Sequence, residues 1–239
     1  WCALVLHRRF ETGDVKADGE QHRAIQGNAW TGMKAVFSSR YLMGIAAFIA
    51  IMTFVSTVLY FQLAGFAEQA FLDRAARTAF FARIDFAVNA LTIVTQAFLT
   101  GRIIRRFGVG LTLALLPALC VAGFAGLGFW PVAGLLVGFQ VLRRAGSYAV
   151  SRPARETLFT VVSREDKFKA KSFIDTFVYR GGDQVGAWSY AWLTTIGLGA
   201  GAIAFLTVPV AGLWLLVGLW LGRQQAARAG RLVARPASR

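Results

Sequence analysis

Long uncharged runs alternate with short basic segments along most of the chain. Residues 41–67 and 86–101 contain no charged side chain, and the uncharged runs 107–142 and 184–222 are each too long for one membrane helix. A helix that crosses the hydrocarbon core needs about 20 mostly apolar residues. The pattern therefore predicts membrane-spanning helices rather than the one-sided helices of a soluble domain.

Two breaks divide the longest runs. Residues 128–131 end in Pro131, which suits the start of a helix and disrupts its interior. Residues 197–201 contain three glycines, which interrupt the last apolar run. The predicted fold class is an all-α membrane protein with six transmembrane helices, near residues 41–64, 80–100, 109–129, 131–150, 172–194 and 202–221.

The basic residues follow the same alternation. Of the 26 Lys and Arg residues, 22 lie in four segments, namely 7–40, 101–108, 143–172 and 223–239. Cytoplasmic loops of membrane proteins carry an excess of Lys and Arg. These segments, including the C-terminus, are therefore predicted to face the cytoplasm, most simply across a bacterial inner (plasma) membrane.

Composition supports the membrane interpretation. The chain is 56% hydrophobic and 16% charged, with a mean hydropathy of +0.53, whereas soluble domains average roughly 25% charged residues. The net charge of +14 follows from the topology, so no nucleic-acid partner is predicted. Cys2 and Cys120 fit no metal or redox spacing, and no common hydrolase or ATPase motif occurs. We therefore expect no enzyme activity, no metal and no cofactor.

The order of these segments suggests half of a larger protein. Residues 1–6 resemble the end of a preceding transmembrane helix, and 7–40 are predicted to be a flexible cytoplasmic linker. The six-helix domain at 41–222 then precedes a basic tail at 223–239. Two six-helix halves form the major facilitator arrangement, and the loop 101–108 resembles its short Gly/Arg signature. The expected partners are membrane lipid and a missing N-terminal six-helix half.

Polar residues recur on one face of the second predicted span. Asp85, Asn89, Thr92 and Gln96 are spaced by three or four residues. Such residues line a substrate path in some membrane proteins and act as interhelical packing contacts in others, and the sequence leaves both open. The same spacing recurs in the first span with Thr53, Thr57 and Tyr60, beside Ser56.

Charged residues also occur in the fourth and fifth predicted spans. Arg143 and Arg144 either extend to the cytoplasmic interface or bind an anionic group in a cavity. In the fifth span, Asp175 and Asp183 are predicted to share a face. Arg180, three residues before Asp183, is expected to neutralise it across a flexible Gly-Gly pair.

Residues 153–183 carry a more specific pattern. It contains a Pro-x-Arg-Glu segment, a Lys-x-Lys-x-Lys run, an Ile-Asp pair and an Arg-x-Gly. It resembles the ATP/ADP translocase family of plastids and intracellular bacteria, a branch of the major facilitators. Asp183 stands where the nucleotide exchangers typically have Lys. The matching residues are Pro153, Arg155, Glu156, Lys167, Lys169, Lys171, Ile174, Asp175, Arg180 and Gly182.

The resemblance implies a secondary active transporter that moves a small, anionic metabolite by alternating access, with nucleotide exchange as one case. Arg155 and Glu156 are predicted to form a cytoplasmic gate. Three alternatives stay open: a proton-coupled transporter of a non-nucleotide solute, a non-transporting scaffold or sensor, and a membrane-embedded enzyme. The predicted substrate-binding residues are Asp85, Asn89, Gln96, Arg144, Asp175, Arg180 and Asp183.

Overall fold

The structure is a computed structural model that describes residues 29–233, and every regular element within that range is helical. Two π turns, Ser147–Ser151 and Ile174–Val178, join consecutive helices, and a 3-10 turn spans Phe159–Val161. The α-helices are α1 (Ala29–Ser38), α2 (Arg40–Ala70), α3 (Arg74–Phe98), α4 (Thr100–Phe129), α5 (Ala133–Gly146), α6 (Arg152–Leu158), α7 (Arg164–Phe173), α8 (Tyr179–Thr195) and α9 (Ala200–Val233).

The helix boundaries follow local chemistry. The Asp73 carboxylate accepts a hydrogen bond from the backbone N–H of Ala76, which caps α3. The two predicted breaks are confirmed, since α4 ends at Phe129 before Pro131. Between α8 and α9 the backbone turns at Gly197, whose φ of +86° lies in the left-handed region that favours glycine.

Four of these helices are long and apolar enough to cross a membrane, namely α2, α3, α9 and the part of α4 from Arg105 to Phe129. They coincide with the first, second, sixth and third predicted spans. The fourth and fifth predicted spans fall on α5 and α8, each of which adjoins a π turn. Neither is a single uninterrupted helix of the required length, so their crossing of the membrane stays a prediction, as does the six-helix half.

Helix α2 forms the centre of the core. Many of its apolar side chains are buried, and Phe48 packs on Trp214 of α9 with ring centroids 5.5 Å apart. Helices α4 and α9 pack backbone against backbone where Gly110 faces Gly222. Small residues at such contacts let helix backbones pack closely in lipid.

Helix α1 packs on α7 through Gly32. A Cβ on that glycine would meet the Lys169 carbonyl oxygen at 2.7 Å and the Phe173 Cβ at 2.9 Å. The segment predicted to be a flexible linker is therefore an ordered helix from Ala29 onwards. The predicted basic tail likewise continues α9 as far as Val233. Residues 1–28 and 234–239, with the predicted end of a preceding helix, lie outside the described residues.

Candidate functional site

A polar cavity of about 510 Å³ lies between four helices. Helix α2 supplies three hydroxyl-bearing residues, α3 a phenylalanine and an aspartate, α5 two arginines and a glutamine, and α8 an aspartate. We call this space the polar cavity. Its lining residues are Ser56, Thr57, Tyr60, Phe81, Asp85, Gln140, Arg143, Arg144 and Asp183.

Arg143 is the most enclosed charged residue of the polar cavity. Only 8% of its surface is exposed. Its guanidinium donates to the Ser56 hydroxyl at 2.6 Å and to the Gln140 Oε1 atom at 3.3 and 3.4 Å. Both partners are neutral, so the positive charge of Arg143 has no carboxylate partner among the described residues. A buried arginine of this kind is suited to an anionic ligand.

Arg144 points to the other side of the cavity. Its Nη1 atom lies 2.5 Å from Oδ1 of Asp85, which joins α5 to α3. The two side chains are 30% and 54% exposed, so water reaches the pair. Because water screens such pairs, this one contributes little to stability. Its effect on the site is that the charge of Arg144 is neutralised at the cavity wall.

Asp183 faces the polar cavity from α8. Its Oδ1 atom accepts a 2.9 Å hydrogen bond from the Thr57 hydroxyl. The predicted neutralisation of Asp183 by Arg180 is wrong, because Arg180 is exposed and forms no ion pair with it. On a helix, residues three apart are neighbours, but here Asp183 turns towards α2 and Arg180 away from it.

Small residues bring α8 against α2. A Cβ on Gly182 would overlap Thr53 and the Ala50 carbonyl oxygen, and one on Gly186 would meet the Phe54 carbonyl oxygen at 3.1 Å. Gly182 and Gly186 therefore form a small-residue contact with α2, which lets the two helix backbones pack closely. It brings Asp183 within reach of Thr57.

The π turn after α5 is bonded to the end of α3 and the start of α4. Gln96 donates to the Tyr148 carbonyl oxygen at 3.2 Å, and Thr100 donates to that of Ala149 at 2.8 Å. A π turn leaves carbonyl groups out of the normal α-helical pattern. Gln96 therefore binds backbone in this structure and does not line the cavity.

The predicted site residues divide into two groups. Asp85, Arg144 and Asp183 line the polar cavity. Asn89, Asp175 and Arg180 are exposed and do not line it, and Gln96 bonds to backbone. The other lining residues are absent from the predicted substrate-binding set, although all but one are polar or charged residues within or at the end of an apolar run. They are Ser56, Thr57, Tyr60, Phe81, Gln140 and Arg143.

The predicted gate residues lie away from the cavity on α6. Glu156 forms an ion pair with Lys171 of α7 at 2.8 Å, while Arg155 is half-buried. Pairing of Glu156 with the basic segment after it is thus observed. Opening and closing of this contact stays a prediction.

A second cavity of about 350 Å³ lies where α2 and α8 end. It is lined by neutral residues, among them Gln62, Gln69, Tyr190 and Thr194. Its lining contains no charged side chain, which distinguishes it from the polar cavity. Within residues 29–233, no group of three His, Cys, Asp or Glu side chains is placed to hold a metal ion.

Comparison with known proteins finds similarity to two carriers. The chain is 23% identical, over 94% of its length, to the ADP,ATP carrier protein 2 of Chlamydia pneumoniae, and covers 46% of that protein. It is 24% identical, over 80% of its length, to the ADP,ATP carrier protein 2 of Chlamydia trachomatis, and covers 40% of it. No family model and no solved structure matches. Together with its apolar helices, this similarity identifies the chain as an integral membrane protein similar to nucleotide carriers, spanning less than half the length of these curated relatives.

Proposed function

We propose that the chain forms half of a secondary active transporter that moves small anionic metabolites of the nucleotide class. The observation that carries this proposal is Arg143, a buried arginine with only neutral partners among the described residues at the wall of the polar cavity. Charged side chains within the membrane are costly, and they usually mark substrate or ion pathways. A buried guanidinium without a carboxylate partner does not stabilise helix packing, but it can bind a phosphate group of a ligand.

The donors of Arg143 fit this role. A guanidinium has five N–H groups, and the bonds to Ser56 and Gln140 involve all three nitrogens but use only three of the N–H groups. Two N–H groups are left for a ligand, which suits the two-point contact that arginine makes with phosphate or carboxylate. The similarity to ADP,ATP carriers supports nucleotides as the source of that anion.

The proposed mechanism is alternating access. In transporters built from paired halves, one half rocks against the other around a site near the middle of the membrane. Asp85, on the wall of the polar cavity, is 54% exposed. We assign the opposite wall to a predicted six-helix half that precedes this chain; the chain covers 46% of the length of its relative from Chlamydia pneumoniae.

The test is uptake by the full-length gene product in cells or liposomes. Labelled ATP, ADP and other nucleotides are supplied outside, with and without unlabelled nucleotide inside. Saturable uptake that internal nucleotide accelerates is expected from wild type, and at least about a tenfold loss of it from Arg143→Gln. Arg102→Gln serves as the matched control, because Arg102 is exposed and bonds to the carbonyl of Phe98 in the adjoining helical turn. Well-expressed protein that moves no nucleotide would contradict the proposal.

One observation favours a second candidate. Asp85 and Asp183 both line the polar cavity, and carboxylates in transporter cavities can carry protons. A proton-coupled transporter of a non-nucleotide solute would use them in this way. It predicts uptake that depends on an imposed pH gradient and is unaffected by internal nucleotide.

A further inference from the structure

Within residues 29–233, two of the four charged side chains that line the polar cavity form an ion pair with each other and the other two have only neutral partners. Arg144 is neutralised by Asp85, whereas Arg143 has only the neutral partners Ser56 and Gln140. Asp183 bonds to the Thr57 hydroxyl and to no cation of the described chain. One uncompensated positive charge and one uncompensated negative charge therefore line the same 510 Å³ space.

These two charges line the same space, and consecutive residues of α2 bind them. Ser56 binds Arg143 and Thr57 binds Asp183, and all four residues line the polar cavity. An anionic group that reaches Arg143 is therefore near the carboxylate of Asp183. Charges that line one cavity attract a bound group of opposite charge and repel one of like charge, even where water partly screens them.

We infer that Asp183 limits the total negative charge of the solute, so that the polar cavity takes nucleotides with a single phosphate group in preference to those with two or three. The first phosphate group accepts hydrogen bonds from the two remaining N–H groups of Arg143. Each further phosphoryl group adds negative charge beside Asp183 and meets no second unpaired cation of the cavity lining, since Asp85 occupies Arg144. This inference rests on the proposed nucleotide transport and names the substrate class within it.

The test measures binding of AMP, ADP and ATP, which share one base and sugar and differ in charge. Each nucleotide competes with labelled AMP for the full-length protein in detergent. For wild type, the expected order of affinity is AMP above ADP above ATP, with AMP about two- to tenfold tighter than ATP, because one like charge about 10 Å away in a partly screened site changes affinity on this order. In Asp183→Asn, ATP gains about two- to tenfold more affinity than AMP gains.

The controls separate charge from structure. The amide of Asp183→Asn can still accept the Thr57 hydrogen bond, and Asp183→Ser provides a second neutral variant should the first not fold. Asp73→Asn makes the same chemical change at an exposed helix cap outside the cavity, where asparagine also caps well. This control should keep the wild-type order.

The outcomes are distinct. Tighter binding of ATP than of AMP by wild type, or an equal change for all three nucleotides in both Asp183 variants, would overturn the role of Asp183 while leaving nucleotide binding in place. Binding of none of the three by folded wild-type protein would instead overturn the proposed function together with this inference.

Discussion

Gly182 of α8 packs directly against Thr53 of α2, with no side chain of α8 between the two helices at this point. The Thr53 hydroxyl donates to the Ala50 carbonyl oxygen at 2.9 Å, within its own helix, and so leaves room for the glycine. This contact brings Asp183 to the polar cavity. Close packing of α8 on α2 is therefore a condition for the geometry of the site.

Replacement of Gly182 by alanine should destabilise the protein. The added Cβ would lie 2.7 Å from the Ala50 carbonyl oxygen, and backbone cannot move aside as a flexible side chain does. Overpacking of this kind costs about 1–3 kcal/mol. The measurement is the thermal midpoint of the purified protein in detergent, which should fall by several degrees.

Gly181→Ala is the matched control, because a Cβ on the neighbouring glycine has nothing within 4 Å. Alanine favours the helix over glycine by about 0.8–1.0 kcal/mol, so this variant should be neutral or slightly more stable. Equal midpoints for the two variants would mean that α8 does not pack on α2 through Gly182.

Replacement of Asp85 by asparagine should release Arg144 and strengthen anion binding. The pair is 2.5 Å long but open to water, so we expect a change in the free energy of unfolding below about 1 kcal/mol. Nucleotide affinity should rise about tenfold, because a second cation becomes free in the polar cavity. Equilibrium binding of labelled ADP checks this, and the Asp85→Asn, Arg144→Gln double variant should lose the gain.

Thr100→Val should loosen the π turn that follows α5. The substitution removes the 2.8 Å hydrogen bond from Thr100 to the Ala149 carbonyl oxygen. A lost intramolecular hydrogen bond costs about 0.5–1.5 kcal/mol, which denaturation in detergent can resolve. Thr78→Val is its control, because Thr78 is exposed and its hydroxyl bonds to a carbonyl of its own helix. The prediction fails if both variants lose the same stability.

Neutralising Glu156 tests the predicted gate. Glu156 and Lys171 join α6 to α7, whereas Glu165 and Lys169 pair within α7 alone. Glu156→Gln should therefore change the transport rate by a few fold at unchanged expression, and Glu165→Gln should not. Initial rates of nucleotide uptake are the measurement. Unchanged kinetics in Glu156→Gln would exclude a gating role for this contact.

The sequence predicts the helices better than the faces that they present. Runs of apolar residues and the breaks at Pro131 and Gly197 locate α2, α4 and α9, because hydrophobicity and backbone preference are local properties. The spacing of Thr53, Thr57 and Tyr60 left a substrate path and packing contacts both open, and of the three only Thr57 and Tyr60 line the polar cavity. The local sequence pattern is therefore enough to locate a regular helix.

Spacing alone does not say which side of a helix meets a cavity. Counting residues along a regular α-helix places Asp175 and Asp183 within about 80° of each other, yet Asp175 is exposed and Asp183 lines the polar cavity. Asp183 reaches the cavity because the neighbouring Gly182 lets α8 pack closely on α2, and this contact joins segments far apart in the chain. The burial of Arg143 was likewise unpredictable, because it depends on Ser56, a residue 87 positions away in the chain.

The packing of α1 on α7 completes a ring of helices, each joined to the next by a contact or a short connection. Ser39 alone separates α1 from α2, and α1 packs on α7 through Gly32. Lys171 of α7 forms an ion pair with Glu156 of α6, and α6 follows α5 after a π turn. A rigid element within such a ring cannot swing independently of the others. A tilt of α7 therefore displaces α1 as well, and a displacement of α1 is passed through α7 and α6 to α5, the helix that carries Arg143 and Arg144.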